Sequence, residues 1–313
     1  MSPELTEVPD ISTSDASDWP LDLLLRLKGS TRIAVVIPAR NEAATLPDVA
    51  GDILRDLEAL VDELIVIDSL SSDDTARVGV AAGARVHSVA DIRPDLGVRA
   101  GKGEAMWKSQ FVTDADLIAF IDADLTGWGT HFVLGVLGPL LADPRVQLCR
   151  GFYDRVLDQG GDVTLEGGRV TELVARPWLA LFRPELVSMI QPLAGEWAIR
   201  GSALEDLSIP TGYGVEISTL LDVHSRYGLE GIAQVDLGRR AHMHQNMHDL
   251  AAMSAEVLAV ADRRRGLPGT GDARTRDGQV SAAVLTRRID AARTWSDRVV
   301  STDERPPYSQ VKG

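Results

Sequence analysis

Asp122 and Asp124 are two carboxylates on alternate residues, placed directly after an apolar run at 117–121 that reads LIAFI. A short run of β-branched, aromatic and aliphatic residues has the pattern of a buried strand. Just past a strand end, that spacing can point both acids into one crevice. In open α/β sheets the crevice at the carboxyl ends of the strands is where ligands bind. Paired hard oxygens there suit Mg2+ or Mn2+, which reaches a protein through one or two carboxylates plus substrate phosphates. Taken alone, Asp-x-Asp is equally a solvated loop carrying two surface acids.

Four other groups could do chemistry. Pro38-Ala39-Arg40-Asn41-Glu42 ends a strand at 32–37 and could grip a nucleobase and ribose through backbone and carboxylate hydrogen bonds. The same residues read as helix capping by Asn41, with Glu42 complementing the dipole. Asp68-Ser69 closes a second apolar strand, and the polar residues 71–75 that follow read as an N-cap cluster. In Gly101-Lys102-Gly103-Glu104 a lysine between two glycines at a helix start can approach a phosphate, or can simply be solvated. Downstream, Gly167-Gly168-Arg169-Val170-Thr171 could cradle an anion, with Arg169 and Thr171 on the first helical turn. His242 and His244 lie on the same side if the chain stays extended, and one imidazole could complete a divalent site. A structural histidine is the other reading.

These groups need elements to position them, and the sequence supplies an alternation. Strands are expected at 32–37, 63–68, 85–89 and 117–121, with helices at 45–60, 75–82 and 101–111 between them. Repetition in units of ~30 residues implies a mostly parallel sheet with helices on both faces. Beyond residue 129 the spacing predicts helices at 131–141, 215–227 and 247–265, and strands at 146–153, 193–199 and 231–237. A helical stretch at 169–186 is expected to break at Pro177 and Pro184. Residues 1–18 are acidic, polar and expected to be disordered. Residues 19–265 read as one α/β domain, with a regular first half at 30–125 and a looser second half at 126–265. Residues 266–313 read as a C-terminal extension with weak helical periodicity. No G-x-G-x-x-G follows the first strand and no P-loop is present, which argues against a dinucleotide enzyme and an ATPase.

The 313 residues carry a net charge of −14, which opposes nucleic-acid or anionic-membrane binding by general electrostatics. A single cysteine, Cys149, excludes an intrachain disulfide and agrees with a reducing compartment. No apolar run approaches the ~18 residues of a membrane span, and the acidic start lacks the order of a signal peptide. The expectation is a soluble, cytoplasmic protein.

The order strand-Pro-Ala-x-Asn-Glu, strand-Asp-Ser, Gly-Lys-Gly-Glu, strand-Asp-x-Asp resembles the GT-A fold of nucleotide-sugar glycosyltransferases. The runs GGRVTELVARP at 167–177, PLAGE at 192–196 and GYGVEI at 212–217 narrow the resemblance. Together they are similar to the glucosyl-3-phosphoglycerate synthases and their mannosyl relatives, glycosyltransferase family 81, over residues 33–253. The resemblance implies a retaining transfer of glucose from UDP-glucose to the 2-hydroxyl of 3-phosphoglycerate, dependent on Mg2+ or Mn2+, by a homodimer. Carried over by motif, Pro38, Ala39, Glu42 and Ser69 would hold the uridine, with Arg40 in the same loop where Leu is often found. Lys102 would serve the donor side. Asp122, Ala123 and Asp124 would sit at the ribose and metal, with Asp124 and His242 as metal ligands. Tyr213 and Glu216 would hold the sugar hydroxyls, and the Leu193 carbonyl would lie near the anomeric carbon. Gly168, Arg169 and Thr171 would receive the acceptor.

Departures from the pattern concentrate at that acceptor end. Ala194 and Trp197 replace Ser and Tyr, and the family's His-Arg-Asn-Arg reads His242-Met243-His244-Gln245. His244 therefore stands where an Asn helps bind phosphoglycerate, and two arginines are gone. A different acceptor or sugar is one alternative. A sugar-phosphate nucleotidyltransferase, which would release pyrophosphate, and a non-catalytic nucleotide-sugar binder are the others.

Overall fold

The computed structural model describes residues 10–125, 127–158, 163–164, 168–241, 247–266, 284–289 and 294–312. At its centre, alternate side chains of each strand face opposite ways, the two-residue period of an extended chain. In Ile33–Ala39 (β2), Ala34 and Val36 enter one hydrophobic cluster while Ile33, Val35 and Ile37 enter another. Ile65 and Ile67 divide in the same way from Leu64 and Val66 in Glu63–Asp68 (β3). Both faces are covered, which is why these strands read as continuous apolar runs. The helices Lys102–Ser109, Val215–Tyr227 and Met247–Arg263 pack on the first face. Leu21–Lys28, Leu46–Asp56 and His131–Ala142 pack on the second.

The other strands of the sheet are Ser12–Asp15 (β1), Arg85–Ser88 (β4), Leu117–Phe120 (β5), Leu148–Asp158 (β6), Val163–Thr164 (β7, paired only with β6), Trp197–Arg200 (β8) and Ile232–Ala241 (β10). Ile209–Pro210 (β9) lies outside it. The order is β1-β10-β6-β8-β5-β2-β3-β4, parallel except where β8 runs antiparallel to β5 and β6. Register then decides what meets where. Ala39 lies opposite Asp68, and Val36 opposite Phe120, so the loops after β2, β3 and β5 leave from one edge. Trp197, the first residue of β8, pairs with Phe120, the last of β5. The inverted strand thus delivers residues 192–196 to the same edge. β10, parallel to β6, brings Arg240 there as well.

Several expectations need correction. Residues 12–15 are not disordered: they form an edge strand in register with Ala233 to Asp236. Residues 193–196 are loop rather than strand, because the ladder begins at Trp197. Pro177 does not break its helix. The wider π turn Thr171–Ala175 runs directly into Arg176–Phe182, and so makes room for a proline ring that would otherwise strike the carbonyl one turn back. Pro184 does start a separate short turn, Pro184–Leu186. The C-terminal extension is not helical at 284–289 and 295–300, and its one described helical piece is the short 3-10 turn Tyr308–Gln310. Val284–Ile289 (β11) and Trp295–Val300 (β12) form a hairpin, and Glu304–Arg305 (β13) pairs with β9.

Candidate active site

Asp122 leaves the sheet one residue after Ile121, whose N–H still bonds Val36 O at 3.1 Å. Its carboxylate is held from several sides. Lys102 Nζ stands 2.6 Å from Asp122 Oδ1 and 2.9 Å from Glu216 Oε1. Arg240 Nη2 reaches Asp124 Oδ1 at 3.0 Å and Asp122 Oδ2 at 3.4 Å, while its Nη1 lies 2.8 Å from Glu196 Oε1 and donates to the Tyr153 hydroxyl at 2.7 Å. The Asp122, Lys102 and Glu216 roles expected on the donor side thus meet in one cluster, with Asp124 at its more exposed rim.

The electrostatics of this edge are unbalanced. Burial would push Lys102 down, but the carboxylates of Asp122 and Glu216 override it and hold the ammonium well above the ordinary lysine range. Burial likewise opposes charge on Arg240, and Glu196, Tyr153, Asp122 and Asp124 reverse it. Glu196, fully buried, is pushed up by desolvation; Arg240 works against that shift and Asp122 adds to it. Glu42 is also raised, first by burial and then by the charge of Asp124. Glu42, Asp122, Asp124, Glu196 and Glu216 outnumber Lys102 and Arg240. An excess of hard carboxylate oxygens at a sheet edge fits a dication of the Mg2+ type. Asp124 carries the accessible oxygens for it, with 44% of its side chain exposed. Among the described residues no group of three potential ligands is assembled. His242 and His244, expected at the metal and acceptor, lie outside the described residues.

The glycines of the Gly101-Lys102-Gly103 motif are occupied with something other than a phosphate. A Cβ on Gly103 would fall 1.8 Å from Pro210 O, and one on Gly101, at φ +126°, 2.3 Å from Thr211 O. Gly103 N–H bonds Gly212 O at 3.3 Å and Glu104 N–H bonds Thr211 O at 2.9 Å. The helix start is therefore seated on residues 210–212, which lead into the exposed Tyr213 and on to Glu216. This backbone contact is what places Lys102 and Glu216 together. Residues 192–196 are positioned with similar economy: Gly195 lies against the Asp122 carboxylate, where any side chain would collide.

At the end expected to hold uridine, the loops after β2 and β3 are cross-bonded. Asn41 N–H bonds Ser71 Oγ at 2.9 Å, Ser72 N–H bonds Asn41 Oδ1 at 2.8 Å, and Glu42 N–H bonds Thr75 Oγ1 at 2.8 Å. Ser69 N–H continues the ladder to Ala39 O at 2.8 Å. The capping reading of Asn41 is thus replaced by a bridge between two loops. Asn41 and Leu70 both adopt positive φ, 59° and 60°, in the region that costs a side-chain-bearing residue energy. Pro38 and Ser69 are half-buried, and Arg40 is exposed.

The expected acceptor residues open the segment that runs into the π turn. Gly168, at φ +81°, accepts a hydrogen bond from Glu172 N–H, and Thr171 is buried at the start of the π turn. π turns inside helices occur often at functional sites. Arg176 in the following helix donates to Met189 O and Ile190 O at 3.3 and 3.0 Å, which ties this segment to the approach to Leu193.

Four residues of the site went unassigned by sequence reasoning. Arg240 and Glu196 are the buried ion pair behind Asp122, and Tyr153 supports Arg240. Arg150, fully buried, donates to Ala194 O at 3.2 Å, Glu216 O at 3.0 Å and Thr219 Oγ1 at 2.9 Å. Burial pushes its pKa down to about 10. A signal for Glu196 was present, since an acid inside the run LAGEWAI demands a buried cation.

Comparison with known proteins agrees with this geometry. The model of glycosyl transferase family 2 matches residues 34–163. Glucosyl-3-phosphoglycerate synthase of Mycobacterium tuberculosis is 45% identical over 301 residues, covering 94% of this chain and 90% of that protein. Its crystal structure with Mn2+, UDP-glucose and phosphoglyceric acid superposes with a TM-score of 0.83 at 40% identity, covering 97% of this chain and 99% of that one. The structure with Mg2+ and UDP gives 0.83 at 41% identity, over 96% and 99%. The sheet with its inverted strand is the GT-A-type fold, and the chain belongs to the glucosyl-3-phosphoglycerate synthase family of glycosyltransferases.

Proposed function

We propose that the protein transfers glucose from UDP-glucose to the 2-hydroxyl of 3-phosphoglycerate with retention at the anomeric carbon. The observation that carries this reading is the Lys102–Asp122–Glu216 cluster with Asp124 at its rim, built on a chain 45% identical to a synthase of that name. Asp124, with His242, would hold Mg2+ or Mn2+, which neutralises charge on a departing diphosphate. Lys102 adds a fixed positive group on the donor side. The loops at 38–42 and 68–75, locked to each other, offer backbone and carboxylate partners for uridine and ribose. Tyr213 and Glu216 face the sugar.

No carboxylate in the cluster is free to act as a covalent nucleophile. Glu216 is tied to Lys102 and Glu196 to Arg240. Retention then follows from attack on the same face as departure, with the leaving phosphate oxygen taking the acceptor's proton. The protein contributes positioning and electrostatic stabilisation. Arg240 and Arg150 act behind the site, holding the two acids of the β5 loop and the carbonyls of Ala194 and Glu216.

Gly168, Arg169 and Thr171 would receive the acceptor's phosphate and carboxylate. Met243 and Gln245, where the family carries arginines, favour a second reading with the same donor chemistry and a less anionic acceptor. A homodimer is part of the proposal, supported by the exposed Leu173, Leu181, Met247 and Leu258 on neighbouring helices. No helix among the described residues is long and apolar enough to cross a membrane, and with the lone buried Cys149 this supports a cytoplasmic enzyme. The test is an incubation with UDP-glucose, Mg2+ and 3-phosphoglycerate, followed by phosphorus and proton NMR. Release of UDP with an α-linked glucosyl product is expected. UDP-glucose binding with no transfer to 3-phosphoglycerate would support the second reading, and pyrophosphate release from UTP and a sugar phosphate would refute both.

A further inference from the structure

Glu104 follows the Gly101-Lys102-Gly103 motif and is fully buried, yet it faces no part of the proposed reaction. Its partner comes from the C-terminal extension. Arg305 Nε and Nη2 donate to Glu104 Oε2 and Oε1 at 2.7 and 2.6 Å, a two-pronged pair with both side chains under a tenth exposed. The same guanidinium donates to Leu96 O at 2.9 Å and Gly97 O at 3.1 Å and lies over the Trp107 ring at 4.9 Å. Its backbone pairs with Ile209 in β9. Arg305 therefore touches each piece of chain that seats Lys102: the turn before the motif, the helix after it, and the strand leading to residues 210–212.

We propose that Arg305 is a positioning residue for the donor side, acting through Glu104 to fix the helix start from which Lys102 reaches Asp122 and Glu216. The inference rests on the donor reading given above. The guanidinium does not dock the extension unaided. Trp107 Nε1 donates to Pro306 O at 2.8 Å, Thr211 N–H to Asp303 O at 2.9 Å, and Arg264 Nη1 to Glu304 Oε1 at 2.8 Å. Removing the Arg305 charge thus leaves the segment in place, while Glu104 loses its bidentate partner and keeps one backbone donor, Arg99 N–H at 3.2 Å, and Lys108 at 3.9 Å. A buried carboxylate so deprived shifts towards the partners that remain, and the backbone of Gly103 and Glu104 moves with it. Charge-assisted pairs of this kind add geometric specificity as well as energy.

The test compares R305M, R305K, E104Q and K102M with the parent protein. Calorimetry with UDP-glucose and Mg2+ gives donor affinity, steady-state kinetics give the 3-phosphoglycerate KM, and melting verifies folding. R305M is expected to lose donor affinity by about tenfold or more, with the acceptor KM changed less than about twofold. E104Q should reproduce that pattern and R305K should recover most of the loss. Donor affinity of R305M within about twofold of the parent, or equal losses for donor and acceptor, overturns the proposal. If R305M does not fold, E104Q decides on the same thresholds; if neither folds, the pair is structural and the proposal fails. K102M separates the two levels: normal donor binding there refutes the donor reading itself, whereas weak binding in K102M with normal binding in R305M refutes only the role of Arg305.

Discussion

Gly195 and Asp122 are in contact so close that a Cβ at position 195 would lie 2.1 Å from Asp122 Oδ2. The backbone of residues 192–196 and the first acid of the Asp-x-Asp pair are thus set by a single steric fit. G195A is expected to displace one or the other by a substantial fraction of an ångström. Misplacement of about 1 Å can cost on the order of 100-fold in rate, so the turnover of G195A should fall by that order. Its melting temperature should drop by only a few degrees. Full activity in a folded G195A would show that the contact relaxes without consequence.

Gly103 makes a second such fit, on the Pro210 carbonyl. Because a carbonyl on a paired strand cannot swing aside as a side-chain tip can, G103A should be more damaging to stability than G195A. A loss of about 1–3 kcal/mol is expected, the range for overpacking a tight interior. Urea denaturation of the two variants side by side checks the ranking.

Metal dependence should reside in Asp124 rather than in Asp122. Divalent ion and UDP together should raise the melting temperature of the parent protein, as any ligand selective for the folded state does. EDTA should abolish that rise and all transfer. D124A should melt at the parent's metal-free temperature, show no rise with Mn2+ and UDP, and have no measurable turnover. A folded D124A with near-normal turnover would remove Asp124 from the metal site.

His87, in β4, has its pKa lowered below 6.5, first by burial and then by Arg85, and its buried Nε2 has no hydrogen-bond partner among the described residues. The sign follows from linkage. Below the ordinary value of 6.5 the unfolded chain takes up a proton that the folded chain resists, so stability is present above that pH and is lost as pH falls through and below it. Stability measured by urea denaturation between pH 7.5 and 5.5 should therefore decline towards the acid end, and H87Q should flatten the decline. His224, depressed by burial as well, leaves a residual slope.

What could be read from the chain followed the range of the interactions involved. β2, β3 and β5 were legible because their apolar pattern is local, and Asp122, Asp124 and Lys102 because each closes or opens such a segment. Ser12–Asp15 was not legible: a polar segment becomes a strand only because Ala233 to Asp236 offers it an open edge. The role of Arg240 was not legible because Arg239 stands beside it, and only the sheet decides that Arg240 turns inward while Arg239 is exposed. The glycines around Lys102 suggested a phosphate cradle; their stronger requirement is the Pro210–Gly212 backbone, more than a hundred residues away in the chain. The π turn at Thr171–Ala175 left no mark beyond a proline that should have broken a helix and did not.

The pairing of Glu104 with Arg305 spans 201 residues of sequence. A nascent chain can build β2, β3 and β5 from its first part, but the seat beneath Lys102 must wait until Arg305 has been synthesised. Until then Glu104 is an acid in an apolar interior without its partner, a state that resists closure. Translation order thus sets a timetable for competence, in which a partly made chain holds a nearly complete sheet and no finished nucleotide-sugar site.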